Sequence, residues 1–359
     1  ADPCTFPLGF LGISSVLKQA GHDVKILNYN LWDYDFDREL DGIDVALFTG
    51  FEEFDGKNRE FSALCRERGI RTVLGGALAT FDTENQAHYF DAVVVGEGEV
   101  AVHKALIEDG IHKVPVTSID FLPYPDYEGF GIREYHKRNP IKHIGVLTSR
   151  GCPHRCTFCF HALRFRTRYL KGVAQEIDYH TRKYDPQMIV FNDNTLNVTK
   201  NRFLAVCDMM KARPAKWSAA IRVDNFDEEC ARNARLSGCS YFVVGVESLQ
   251  QSRLDKMQKD VAVEQVYKTL DLLHKYQIGY HGNLIVGLDG DTEQDIYREL
   301  ATNWREYNLF PVMFQKFIGT CANPSENISP EVRDRFGASF RQYVASKGKY
   351  MYPEVVHAS

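Results

Sequence analysis

No uninterrupted apolar run of about 18 residues occurs in this chain of 359, so no segment is fit to cross a membrane as a helix. The opening, ADPCTFPLGF, has neither the basic start nor the apolar run of a secretory signal, and a cytoplasmic location is expected. Positive charge is not in excess either: 43 Lys and Arg stand against 48 Asp and Glu, a formal net charge of −5. A broad electrostatic attraction to nucleic acid is therefore missing, and no nucleic-acid partner is expected. The local basic stretch RFRTRYLK (164–171) reads as a solvated face or a contact to an anionic substrate. Internal repeats and low-complexity segments do not stand out.

A disulfide framework is also lacking. The nine cysteines, an odd number, lie at 4, 65, 152, 156, 159, 207, 230, 239 and 321. Without a secretory signal they favour reduced thiols and a metal site. Cys65, Cys207, Cys230 and Cys239 stand in apolar surroundings and read as small buried residues.

With 44% hydrophobic and 25% charged residues, the chain can build two cores. From 11 to about 110, the β-branched runs DVKILNYN, DVALFTG, RTVLGG and DAVVVGEGE alternate with the helical patterns GFLGISSVLKQAGH and KNREFSALCRERG. That alternation predicts a doubly wound, Rossmann-like parallel sheet with helices on both faces. Its ligand edge would be formed by TGFEEFDG, GGALAT and GEGE. A Pro-rich stretch, VPVTSIDFLPYPDYEGFG, follows as a linker. From 143 onward HIGVLTSRG, MIVFND, WSAAIR, YFVVGVES, YHGNLIVGL and PVMFQKFI predict six strands of a partial (β/α)6 barrel of TIM type. The expected spans are 1–115, a linker at 116–140, the barrel at 141–322, and a helical segment at 323–359 that closes its open side.

The stretch SRGCPHRCTFCFH (149–161) leaves the first barrel strand, where the sites of such barrels gather. Zinc commonly takes two separated ligand pairs, and no second pair follows downstream. Three thiolates in one loop, Cys152, Cys156 and Cys159, suit three irons of a cubane cluster and leave one iron open. A mixed zinc site that adds His154 and His161 is the alternative.

GCPHRCTFC resembles the Cys-x3-Cys-x2-Cys signature of the radical S-adenosylmethionine enzymes, including the aromatic Phe158 before the last cysteine. The resemblance implies a 4Fe–4S cluster on those three cysteines, with the open iron chelated by the amino and carboxylate groups of S-adenosylmethionine. It further implies that an electron from the cluster cleaves the carbon–sulfur bond to give a 5'-deoxyadenosyl radical. FNDN occupies the place of the family's ammonium-binding motif, with Asp193 as acceptor; alternatively, Asn192 to Asn194 cap the next helix. Arg222, in IRVDN, would meet the methionine carboxylate or form an ion pair on the barrel rim. Glu247 and Ser248 of GVES would meet the ribose, and Asn283, Ile285 and Gly287 would lie along the adenine. Gly287 otherwise makes a simple turn.

FVVGVESLQQSRLDKMQK and GNLIVGLDGDTEQD are similar to stretches of the subgroup with an N-terminal cobalamin-binding domain, and the likeness covers nearly the whole chain. It implies cobalamin at the sheet edge of Gly75, Gly76, Gly96 and Gly98, where glycine lets backbone approach a large flat ligand. Two departures stand out. There is no Asp-x-His-x-x-Gly motif to supply a lower cobalt ligand, and ADPCTF stands where the family's domain opens with an apolar strand.

The expected function is a radical S-adenosylmethionine enzyme that transfers a methyl group to an unactivated carbon through cobalamin. Radical rearrangement, cyclisation, oxidation or coupling with a cofactor-free first domain is the alternative, and a zinc-stabilised binding protein a third. The expected partners are a small-molecule, lipid or peptide substrate and an electron donor such as flavodoxin or ferredoxin. VMFQKFIGTCANP brings Gln315, Lys316 and Cys321 to the barrel mouth as candidates to hold substrate or supply a hydrogen atom. Lys316 is equally a rim charge and Cys321 an idle thiol.

Overall fold

The computed structural model describes residues 6–27, 33–50, 54–139, 141–160, 163–301, 307–316 and 320–332. The chain divides into two compact units, Ala1–Gly145 with Ala162–Asp185, and Val146–His161 with Pro186–Ser359. These differ from the contiguous spans expected from sequence, because the chain returns to the first unit after the cysteine loop. Among the described residues no helix is long and apolar enough to cross a membrane.

The first unit holds a four-stranded parallel sheet of order β1 (Val45–Thr49), β2 (Arg71–Gly75), β3 (Ala92–Val94) and β4 (Gly110–His112). Successive strand residues point to opposite faces. Val73 therefore packs with Ala92, Val94, Ala101 and Ala105 on one side, and Leu74 with Leu78, Ala79, Phe90 and Val93 on the other. Helices Gly76–Phe81 and Gly98–Ala105 thus cover opposite faces. DVKILNYN departs from expectation: residues 23–27 form no strand, and 28–30 lie outside the described residues. The fourth strand is instead β4, which the sequence hid because its GIH is too short to show a period.

The returning segment carries the helix Leu170–Tyr184 and closes this unit's aromatic core. His180 stacks on Tyr184 and meets the edge of Tyr127. The basic stretch before it is no solvated face throughout: Arg166 pairs with Glu97 at 2.6 Å, and Arg168 with the buried Glu176.

The second unit is built on β8 (Met188–Phe191), β9 (Lys216–Arg222), β10 (Cys239–Glu247), β11 (Gly279–Val286) and β12 (Leu309–Met313), paired in parallel in that order. The last residue of β5 (His143–Val146) extends the sheet beyond β8, giving six strands. The two-residue strands β6 (Ser149–Arg150) and β7 (Arg166–Thr167) are not part of this sheet. Helices Lys200–Lys211, Glu228–Leu236, Val263–Lys275 and Glu293–Leu300 fill the intervals between β8 and β12. This is the half-open (β/α)6 barrel expected. Phe191, Phe203, Trp217, Phe226 and Phe242 meet mostly edge to face in its core, each worth roughly 1.5–3 kcal/mol of burial. Of the expected closing segment, Ile328 and Val332 pack on Val286, Ile296 and Met313, while 333–359 lie outside the described residues.

Candidate functional site

Parallel strands end on one rim, so Val146, Phe191, Arg222, Glu247 and Val286 deliver the residues that follow them to one edge. The cysteine loop lies there, held from two sides. Thr157 N–H donates to the Met257 carbonyl at 3.0 Å, and Ala322 N–H donates to the Thr157 carbonyl at 2.9 Å. Phe160 also bridges to Thr320. Cys321, a candidate substrate-side residue, therefore stands beside this loop with an exposed thiol.

Cys152 is half-buried and Cys156 buried; Cys159 is exposed as a residue, while its thiol is crowded by the surrounding protein. Cys156 and Cys152 both act on Cys159. Desolvation pushes the Cys159 thiol up to about 12, and negative charge on Cys156, Glu247 and Cys152 adds to that rise while Lys259 opposes it. Among the described residues no group of three or more His, Cys, Asp or Glu converges as ligands of a single metal ion. A cubane fits this arrangement better than zinc, because each thiolate binds a separate iron and the sulfurs need not meet at one point. His161, of the zinc alternative, lies outside the described residues. His154 keeps its Nε2 buried without a hydrogen-bond partner, and burial holds its imidazole below the ordinary value.

Asp193 is fully engaged with the root of this loop. It accepts from Thr148 N–H at 2.7 Å, Thr148 Oγ1 at 2.6 Å and Ser149 Oγ at 2.6 Å. Burial raises its pKa, and the hydroxyl bonds pull it back. The neighbouring Asn192 Oδ1 is buried with no partner. Asn192 Oδ1 is thus an open acceptor on this strand end, beside Asp193. Asn192 to Asn194 do not cap the next helix: Thr199 does, accepting from Arg202 N–H at 3.3 Å.

Arg222 forms the rim ion pair. Its guanidinium holds Asp224 through Nε at 3.0 Å and Nη2 at 3.2 Å, and Nη2 also reaches the Lys259 carbonyl. Its Nη1 points at Cys156 Sγ, 3.6 Å away. Asn197, unmarked by the sequence reading, clamps the Arg222 backbone by accepting from its N–H at 2.8 Å and donating to its carbonyl at 2.7 Å.

Glu247 sits at φ +67°, a strained left-handed conformation for a non-glycine residue, and pairs with the buried Lys259 at 2.8 Å. Lys259 Nζ also lies 5.7 Å over the Phe158 ring. A Cβ on Gly245 would meet that Nζ at 2.8 Å, so glycine makes room for the pair. Ser248 is 0% exposed and donates to Glu299 at 2.8 Å. Glu299 and Asp291 in turn hold Arg253, at 2.9 and 2.7 Å. Asn283 and Ile285 share the half-buried face of β11, and Ile285, like Phe158, packs against the cluster of Met257, Leu288 and Phe314. Gly287 is a turn residue at φ +85° whose N–H donates to Asp291, and a Cβ there would strike Met313 Sδ at 2.4 Å. Lys316 is exposed and donates to Asn323, a rim charge.

The glycines of the first unit separate into two kinds. Gly76 and Gly98 are packing positions, since a Cβ would meet Thr49 Oγ1 at 2.5 Å and Ile13 Cδ1 at 2.8 Å. A Cβ on Gly75 or Gly96 would meet nothing within 4 Å, so these two are not packing positions, although Gly96 at φ +81° still favours glycine for its backbone.

Residues 146–301 match the Radical SAM superfamily and residues 1–106 the B12 binding domain. An uncharacterised methyltransferase of Pyrococcus horikoshii is 26% identical over 331 residues, covering 81% of this chain and 71% of its own. An anaerobic magnesium-protoporphyrin IX monomethyl ester cyclase of Rubrivivax gelatinosus is 24% identical over 345 residues, covering 79% and 62%. The fold is that of the radical S-adenosylmethionine methyltransferase TsrM from Kitasatospora setae, solved with cobalamin and a [4Fe–4S] cluster. Its TM-score is 0.71 at 16% identity, over 89% of this chain and 72% of that one.

Proposed function

For this chain, a radical S-adenosylmethionine enzyme that carries a B12 binding domain, we propose methyl transfer to an unactivated carbon of a small molecule. The observation that carries the reading is the loop of Cys152, Cys156 and Cys159, held at the carboxyl edge of a parallel barrel by the Met257 carbonyl and the Ala322 N–H. Cys152, Cys156 and Cys159 hold the 4Fe–4S cluster. When bound, the cluster supplies the electron that cleaves S-adenosylmethionine, and the cobalamin carries the methyl group.

The protein's own residues bind and orient. Asn192 Oδ1 accepts from the methionine ammonium, a role for which its buried, unpartnered oxygen is suited. Lys259, Glu247 and Phe158 form the wall beside the cluster, and Ile285 extends that wall as an apolar floor. Gly75 and Gly96 leave the first unit's sheet edge clear for the corrin. A low-potential carrier such as flavodoxin or ferredoxin delivers the electron.

Anaerobic reconstitution with iron, sulfide and hydroxocobalamin tests this. The expected protein holds about four irons, retains a corrinoid through gel filtration and cleaves S-adenosylmethionine. Replacing the three cysteines by Ala abolishes cleavage. Protein that cleaves S-adenosylmethionine but keeps no corrinoid excludes the methyl-transfer reading, and the chemistry is then ring closure or another cobalt-free radical reaction.

A further inference from the structure

We propose that Arg222 is a positioning residue for the cluster. Its Nη1 donates to the Cys156 thiolate and, balanced by Asp224 behind it, sets how readily the cluster accepts an electron. The inference rests on the assignment of the cluster to Cys152, Cys156 and Cys159, and it gives Arg222 a task other than clamping the methionine carboxylate.

The donors of the guanidinium decide the matter. Nε and Nη2 are spent on Asp224, and Nη2 on the Lys259 carbonyl as well. What remains directed at the site is Nη1, 3.6 Å from Cys156 Sγ, an ordinary N–H to sulfur distance. The origin of the side chain is fixed too, because Asn197 holds both the N–H and the carbonyl of Arg222. A planar fork committed on two sides and anchored at its backbone has no two-donor edge left for a bidentate carboxylate.

The electrostatic consequence follows from burial. Arg222 is only 5% exposed, so water screens its charge poorly, and its guanidinium stays protonated at any working pH. Reduction of the cluster by an external low-potential one-electron donor adds one negative charge and no proton. A fixed cation touching a ligand sulfur stabilises that added charge, whereas the Asp224 carboxylate opposes it. Lys259 is a second cation near Cys156, and Glu247, 2.8 Å from its Nζ, offsets its field as Asp224 offsets that of Arg222; what singles out Arg222 is its direct N–H contact with the sulfur.

Arg222 and Asp224 therefore act with opposite signs, which a purely structural role would not give. The test is an EPR-monitored redox titration of reconstituted full-length protein without S-adenosylmethionine, so that no carboxylate of the cosubstrate contributes. In Arg222→Gln the reduced-to-oxidised ratio at fixed poise falls about tenfold, a shift of about 59 mV to more negative potential for a one-electron couple. Arg222→Lys, which keeps the charge and loses the fork, shifts by less. Asp224→Asn shifts to less negative potential. Wild-type iron content with an unmoved potential in both Arg222→Gln and Asp224→Asn overturns the inference. Should Arg222→Gln fail to hold iron, Asp224→Asn decides alone: an upward shift supports the inference, and no shift overturns it. Absence of iron from the reconstituted wild-type protein is the separate result that overturns the cluster assignment itself.

Discussion

Asp193 and Thr148 are joined twice, through the Thr148 N–H at 2.7 Å and its Oγ1 at 2.6 Å, so one carboxylate fixes the strand end from which the cysteine loop departs. Hydrogen bonds to a buried carboxylate are worth roughly 1.5–3 kcal/mol each. Asp193→Ala is expected to lower stability by about 3 kcal/mol and to reduce iron per chain, because the loop loses its anchor. Urea unfolding and iron analysis check this. Weaker S-adenosylmethionine binding with iron and stability untouched would return Asp193 to the ammonium role that its sequence position suggests.

The buried pair Glu247–Lys259 yields a double-mutant prediction. Lys259→Met alone leaves the Glu247 carboxylate buried and unpaired, which costs about 3 kcal/mol, and it also removes the cation above Phe158. Adding Glu247→Gln restores much of that loss. A double variant as unstable as the sum of the singles would mean that the two side chains are not coupled.

Gly75 and Gly76 are adjacent and should respond differently. Gly75 has φ −130° and open space around a would-be Cβ, so Gly75→Val leaves the first unit folded, within about 0.5 kcal/mol. The same change should weaken corrinoid retention at least about tenfold, since the new side chain fills the sheet edge. Gly76→Val, at φ +85° and against Thr49, unfolds the unit. Full corrinoid retention by a folded Gly75→Val variant would move the binding edge elsewhere.

His180 makes stability pH-dependent. It is 1% exposed, and neither ring nitrogen has a hydrogen-bond partner. Desolvation, helped by the charge of Lys183, lowers its pKa from 6.5 to about 4. The unfolded chain therefore takes up the proton first. The contribution is complete above pH 6.5 and is lost as the pH falls toward 4, up to about 3 kcal/mol. Urea midpoints measured from pH 7 to 4.5 should fall more steeply for wild type than for His180→Phe. Parallel curves would refute the assignment.

Much of this molecule was legible in its sequence because the signals were local. The six barrel strands are short apolar runs of ordinary length, and the cysteine spacing is a property of one loop. Cys65, Cys207, Cys230 and Cys239 are buried, as their apolar neighbours require. What escaped depends on partners far along the chain. Lys259, Arg253 and Glu299 look like surface charges in helical sequence, yet each is buried against an opposite charge that only the fold brings near. Ser248 stands at a ribose-facing position by sequence but is claimed by Glu299, fifty-one residues on. A charged residue at an otherwise apolar helical position, as Glu299 is in its helix, was the one available hint.

The return of residues 162–185 to the first unit constrains how the protein can be made. Tyr184, His180 and Arg166 complete that unit's aromatic core and its Glu97 pair, and they leave the ribosome after all three loop cysteines. A fragment ending at 115 or 140 lacks them, so an expression boundary for an independently stable corrinoid-binding piece belongs near 185. During synthesis the cysteine loop is then tethered at both ends by a finishing globule before β8 to β12 exist, and its thiols emerge ahead of the barrel that will enclose them. Met257 and Ala322, whose backbone groups hold the loop, are made later still, so the three thiols reach their final arrangement only when the barrel closes around them.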